Sequence, residues 1–101
     1  MTDSDKVHAM IDMQSFEGTW EVSEELLNIM SLKAWTYQSM DTARMTMLVI
    51  VFLQEKMASE KDVWELVVDT AETWLQSSAI GKERLGEMGA EARSIVSNEC
   101  K

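Results

Sequence analysis

Apolar residues repeat at helical spacing through much of the chain, and the clearest stripe runs from Trp64 to Leu75. Its members follow one another at intervals of one or three residues: Trp64, Val67, Val68, Ala71, Trp74 and Leu75. Acidic and amide side chains occupy the other side of the helix: Asp62, Glu65, Asp69, Glu72 and Gln76. This pattern predicts an amphipathic helix that is capped by Ser59 or Asp62 and buries one face.

A second segment, residues 42–58, contains neither Gly nor Pro, and its middle is apolar on nearly every side from Met45 to Leu53. A helix of this kind is normally surrounded by other helices. The β-branched trio at 49–51 would also suit a buried strand, so periodicity alone leaves both open. The length of the segment and the lack of a partner strand favour a buried central helix, with Asp41 as its N-cap.

The N-terminal third contains shorter patterns. Residues 1–13 are acidic and predict an arm or a short helix. Gly18 then indicates a turn between Phe16 and Trp20, and we expect the burial of both aromatic rings to hold this loop in place. Ser23 is typical of an N-cap and precedes an apolar face at Leu26, Leu27 and Met30. Residues 31–40 fit a second short helix or a helical loop.

The C-terminal segment from Lys82 to Asn98 contains one more helical stripe, interrupted by Gly86 and Gly89. Each glycine costs a helix ~1 kcal/mol relative to alanine. The segment therefore predicts a helix that is either docked on the others or flexible. We expect residues 14–78 to form the helical core domain, with residues 1–13 and 79–101 added at its ends.

These elements predict an all-α fold, a small compact bundle of about four to five helices around a buried central helix. The expected core consists of large apolar side chains from each part of the core domain. They are Trp20, Leu26, Leu48, Phe52, Trp64, Val68 and Trp74.

Composition narrows the function classes. The chain has 101 residues, the size of one domain, and a net charge of -9. A surface with this much negative charge repels phosphate backbones and anionic lipids, which argues against direct binding to nucleic acid or membranes. The longest apolar run is far short of the ~20 residues that cross a bilayer. The single Cys, at position 100, suits a reducing compartment, so we expect a cytoplasmic protein.

The sequence lacks the residues that common catalytic and metal sites require. With one His and one Cys it cannot form a structural zinc site from those residue types, and a di-iron bundle would need two histidines. Asp5 and His8 are spaced to meet on a helix, as the members of a catalytic dyad would be, although a solvated ion pair is the simpler interpretation. No phosphate-binding loop or nucleophile elbow is present. We therefore expect no enzymatic activity, no cofactor and no metal.

An interaction with another protein is the function that these patterns favour. Trp35 and Tyr37 form an aromatic pair on an irregular segment, where they could contact a partner, although burial is the plainer interpretation. Met40, Met45 and Met57 are the methionines whose exposure would indicate an adaptable contact surface; of these, Met40 and Met57 join the aromatic pair as candidates for partner binding. The alternative is an acidic inhibitor or nucleic-acid mimic that occupies a basic protein groove.

Three stretches in order resemble a known family. They are residues 14–27 (QSFEGTWEVSEELL), residues 43–56 (ARMTMLVIVFLQEK), and the pattern Trp-Glu-Leu at 64–66 followed by Ala71 and Trp-Leu at 74–75. Together they resemble the C-terminal helical domain of proteins with a VIT domain and a von Willebrand A-type domain. Thr70 departs from the basic residue usual there, and the chain from Ile80 onward matches nothing in the family.

The resemblance implies a protein-binding or tethering module. The family includes the vault poly(ADP-ribose) polymerase, whose C-terminal region is the major-vault-protein interaction region, so the resemblance makes major vault protein the candidate partner. Neither the VIT domain nor the A-type domain is present in this chain. Adhesion chemistry and polymerase activity, which reside in other domains, therefore do not carry over.

Overall fold

Five α-helices and one 3-10 turn make up most of the structure, a computed structural model that describes residues 2–32, 40–78 and 80–99. It is 77% helical, and the described residues contain no strand, which confirms the all-α bundle. The elements in chain order are α1 (Asp3–Asp12), α2 (Glu24–Ile29), α3 (Thr42–Lys56), the 3-10 turn Ala58–Glu60, α4 (Lys61–Ser77) and α5 (Lys82–Glu99).

The central helix is α3, and it packs most extensively against α5 and next against α4. The side chain of Asp41 accepts the backbone N–H of Arg44 at 2.8 Å, so the expected N-cap starts the helix. Met45, Thr46 and the run from Leu48 to Leu53 are buried. The β-branched residues 49–51 therefore lie in a buried helix, and the strand alternative is wrong.

Side-chain hydrogen bonds set where α1 and α2 begin, but not where α4 begins. Thr2 and Asp5 form a reciprocal capping box at α1, and Ser23 caps α2 by accepting the backbone N–H of Leu26 at 3.1 Å. At α4 the expected caps are wrong. The 3-10 turn leads directly into this helix, with Glu60 at the N-cap position and no side-chain cap hydrogen bond.

The core joins all five helices. Of the seven expected core residues, six are buried: Trp20, Leu26, Leu48, Phe52, Trp64 and Val68. Trp74 is partly buried and packs against the same cluster. Val7 and Met10 bring α1 into this core, and Ala92 and Val96 dock α5 on it. The two terminal segments therefore share the core of the central one.

Two buried tryptophans combine apolar packing with a satisfied indole N–H. Trp20 donates to the carbonyl oxygen of Met10 at 2.7 Å, which connects the loop after α1 back to that helix. Trp64 donates to the carbonyl oxygen of Met57, also at 2.7 Å, across the corner between α3 and α4. Both bonds offset the cost of burying a polar N–H and orient the rings in the core.

Candidate functional site

None of the residues expected to contact a partner is found exposed in the part of the chain that the structure describes. Trp35 and Tyr37 lie outside the described residues. Met40 is partly buried beside a recess of about 10 Å³ between α3 and α5, too small to admit a partner side chain. Met57 is 4% exposed and Met45 is fully buried, so neither lies on a contact surface. The expectation for Met57 is wrong because its side chain fills the corner between α3 and α4.

The loop between α1 and α2 is closed by hydrogen bonds between Ser15 and Thr19. The backbone N–H of Ser15 donates to the carbonyl oxygen of Thr19 at 2.7 Å, and the N–H of Thr19 donates to the Ser15 hydroxyl at 3.0 Å. The two hydroxyl oxygens lie 2.7 Å apart. Gly18, with φ +96°, donates to the Ser15 carbonyl oxygen at 3.0 Å. These bonds define one loop conformation.

The same loop is attached to α4 at three points. The side-chain amide of Gln14 donates to the carbonyl oxygens of Gly18 and Val67, each at 3.0 Å. The indole N–H of Trp74 donates to Oε2 of Glu17 at 3.3 Å. Gly18 itself lies so close to α4 that a Cβ there would be 2.7 Å from Cγ2 of Thr70. The loop is therefore held against the helix on both sides of Phe16.

Two large apolar side chains stand exposed among the described residues, Phe16 at the tip of this loop and Leu66 on α4. Phe16 is fully exposed, so the expectation that both loop aromatics are buried is wrong. Leu66 lies one helical turn before Thr70, the residue that Gly18 of the loop approaches. We call Phe16, Glu17, Leu66, Asp69 and Trp74 the loop–α4 surface.

Acidic residues run along α4 beside these apolar groups. Asp62, Glu65, Asp69 and Glu72 follow one another at intervals of three, four and three residues, which places them on one face of the helix. Among the described residues one ion pair forms, between Arg44 on α3 and Glu91 on α5, with a nitrogen–oxygen distance of 3.8 Å. The carboxylates of α4 thus have no cationic partner within that part of the chain.

A separate groove lies between α3, α4 and α5, with a volume of about 290 Å³. Its lining includes the apolar side chains of Ile50, Val51 and Leu75 and the two glycines of α5, Gly86 and Gly89. Its polar rim carries both Glu72 and Arg93. The groove is smaller than most ligand pockets, and its rim carries charges of both signs.

Catalytic or metal-binding groups are not assembled in the part of the chain that the structure describes. No three His, Cys, Asp or Glu side chains there are placed to hold a metal ion. Asp5 serves the capping box with Thr2, and Nδ1 of His8 lies 2.7 Å from the carbonyl oxygen of Ser4. Asp5 and His8 therefore each hydrogen-bond to a residue of α1 or its N-cap. In the same residues, no helix is both long and apolar enough to span a bilayer.

Sequence reasoning missed both exposed apolar residues, although the position of Leu66 gave a signal. Leu66 falls two residues after Trp64, off the stripe that continues at Val67 and Val68, so its position on α4 already pointed to solvent. Phe16 precedes Glu17 and Gly18 in a polar loop, where exposure was as compatible with the pattern as burial.

Comparisons with protein-family models, with curated proteins and with solved structures find no match to this chain. The resemblance to proteins with VIT and von Willebrand A-type domains stays a prediction.

Proposed function

We propose that this protein is a non-catalytic protein-interaction module that binds its partner through the loop–α4 surface. The observation that carries the proposal is a fully exposed Phe16 on a loop whose backbone is fixed by hydrogen bonds on both sides of that residue. An aromatic side chain exposed to water contributes little to the stability of its own fold. Buried in a pocket of a partner, the same ring is typical of the few residues that dominate binding energy.

The fixed conformation of the loop favours binding of a partner through the exposed Phe16 ring. Association costs free energy when loops and side chains must be ordered at the interface, and a preformed loop has already met most of that cost. Leu66 adds a second apolar contact on the same side of α4. The surrounding carboxylates, Glu17, Glu65 and Asp69, favour a partner with a basic surface and increase its rate of association.

The resemblance noted above supports the same class of function and supplies a first partner to test. It suggests that major vault protein binds here. The single Cys, at position 100, separately favours a module that works in the cytoplasm. No step of the proposal requires chemistry.

Affinity capture with matched variants tests this proposal. The purified chain, Phe16→Ala and Glu87→Gln are each used as bait, and purified major vault protein is then tested for direct binding. Glu87 is exposed on α5, away from the loop–α4 surface, so its variant is the control. We expect Phe16→Ala to lose the partner that the other two baits retain. Equal recovery with all three baits would overturn the proposal.

The row of carboxylates on α4 favours one alternative, an acidic mimic that occupies a basic nucleic-acid-binding groove. Such a complex depends mainly on charge, so its affinity should fall steeply with salt and should not depend on Phe16. Binding through the loop–α4 surface should fall only mildly with salt and should require Phe16. Measuring the affinity of the wild type and Phe16→Ala at several salt concentrations separates the two.

A further inference from the structure

A recess at one end of the loop–α4 surface has a chemical character of its own. It has a volume of about 380 Å³ and is bounded by the loop on one side and α4 on the other. The residues around it are Glu17, Asp69, Thr70, Thr73, Trp74 and Ser77. Two of these six are carboxylates, three carry a hydroxyl, and one is a partly buried indole.

Every side-chain donor around the recess is already used. Each of the three hydroxyls donates to a carbonyl oxygen of the preceding turn of α4: Thr70 to Leu66 at 3.0 Å, Thr73 to Asp69 at 2.9 Å, and Ser77 to Trp74 at 3.1 Å. The indole N–H of Trp74 donates to Glu17 at 3.3 Å. These side chains therefore still offer a ligand their acceptor oxygen atoms and the indole ring of Trp74.

A ligand that complements such a recess must donate hydrogen bonds and need not accept any. Ammonium, guanidinium and imidazolium groups meet this condition, and their positive charge matches Glu17 and Asp69, whereas the donor-only indole N–H of a tryptophan carries no charge. The donor and acceptor pattern and the charge therefore select the same ligand class by separate arguments.

We infer that this recess binds the guanidinium group of an arginine side chain on the partner protein, beside an apolar partner residue that contacts Phe16. The inference rests on the proposed function, since it assigns part of the same surface to one chemical group. Arginine fits better than lysine because its planar group has five donors, which can reach several acceptors at once, and because it stacks on aromatic rings such as the indole of Trp74.

Short capped peptides test the recess without the natural partner. One peptide carries an arginine between two leucines, a second carries lysine at that position, and a third carries citrulline, which has nearly the shape of arginine but no charge. Binding is followed by the NMR signal of the Trp74 indole N–H, identified with Trp74→Phe. We expect a saturable shift with the arginine peptide, weaker binding of the lysine peptide and no saturable shift with citrulline.

Variants assign the binding to the recess. Glu17→Gln and Asp69→Asn each remove one charge but keep an acceptor oxygen, and we expect roughly tenfold weaker binding of the arginine peptide because hydrogen bonds between charged groups are the strong ones. Glu87→Gln removes one charge elsewhere and should bind like the wild type. Equal binding of the arginine and citrulline peptides, unchanged binding by both recess variants, or no saturable shift with any peptide overturns the inference.

The two proposals fail separately. A partner that requires Phe16 in the capture experiment, together with a negative peptide result, would leave the interaction module standing and remove the arginine site. A positive peptide result with no effect of Phe16→Ala on capture would retain the arginine site and remove Phe16 as the principal contact.

Discussion

The backbone N–H of Trp20 donates to the hydroxyl of Thr46 at 3.0 Å, and both residues are completely buried. This bond connects the end of the loop to the middle of the central helix. It explains why α3 carries one polar residue in an otherwise apolar stretch, because no other side chain near Thr46 on that helix could satisfy the buried N–H. Thr46 thus fixes the position of the segment that presents Phe16.

Thr46→Val should destabilise the fold by about 1–3 kcal/mol, the cost of leaving a buried donor unsatisfied. Valine has nearly the same shape, so the lost hydrogen bond dominates the effect. Thr46→Ser keeps the hydroxyl and loses one buried methyl, and it should retain the Trp20 bond. Free energies of unfolding from urea titrations check both values. A valine variant as stable as the wild type would contradict this role of Thr46.

Gly18→Ala should cost about 2–4 kcal/mol, because alanine is strained at positive φ and its Cβ would overlap Thr70. Adding Thr70→Ser removes the overlapping Cγ2 and should restore part of the loss, while the strain of the backbone remains. Gly81→Ala is the matched control, since no atom lies within 4 Å of a Cβ at that position. Thermal unfolding of the three variants measures the differences, and equal losses at Gly18 and Gly81 would contradict the close approach of the loop to α4.

The two phenylalanines should respond in opposite ways. Phe52 lies in the core, so Phe52→Ala should cost about 3–5 kcal/mol. Phe16 is fully exposed, so Phe16→Ala should change the free energy of unfolding by no more than about 0.5 kcal/mol. Chemical denaturation of both variants makes the comparison. A large loss at Phe16 would show that the ring packs in the fold and would remove the basis for its role in binding.

Helical periodicity was sufficient to predict the main helices. The stripe from Trp64 to Leu75 predicted α4, and length decided for a helix at 49–51, where β-branched residues left a strand open. The start of α4 was harder to predict, because a 3-10 turn supplies its first turn without a side-chain cap. A turn of this kind depends on how the corner packs, and no single residue signals it.

The candidate site depends on tertiary contacts that a pattern does not contain. Phe16 and Trp20 flank Gly18 alike in the sequence, yet only Trp20 reaches the core, where Met10 and Thr46 satisfy its two N–H groups. The recess likewise combines Glu17 with residues more than fifty positions later. Sequence reasoning identified the turn and the acidic character, and the geometry of the loop on α4 determined which aromatic ring stays outside.

The carboxyl of Asp5 should have a pKa below its ordinary value of 3.8, because the backbone N–H of Thr2 and then its hydroxyl hydrogen-bond with the carboxylate. A lowered pKa in the folded state stabilises the fold above the unfolded pKa, and this contribution is lost as the pH falls through the folded value. An NMR titration of the Asp5 carboxyl measures the pKa, and Thr2→Ala should raise it. A pKa at or above 3.8 in the wild type would contradict the capping box.

Gly86→Ala should stabilise the protein by about 0.5–1 kcal/mol, the usual gain when alanine replaces glycine inside a helix. Gly86 lies within α5, and no atom lies within 4 Å of a Cβ built there, so no clash offsets the gain. Gly89→Ala makes the same change at a buried position of α5. Its Cβ would lie 3.9 Å from Sδ of Met47, an ordinary van der Waals distance. Urea unfolding measures both. A loss of stability in Gly86→Ala would mean that α5 is not a continuous helix at that position in solution.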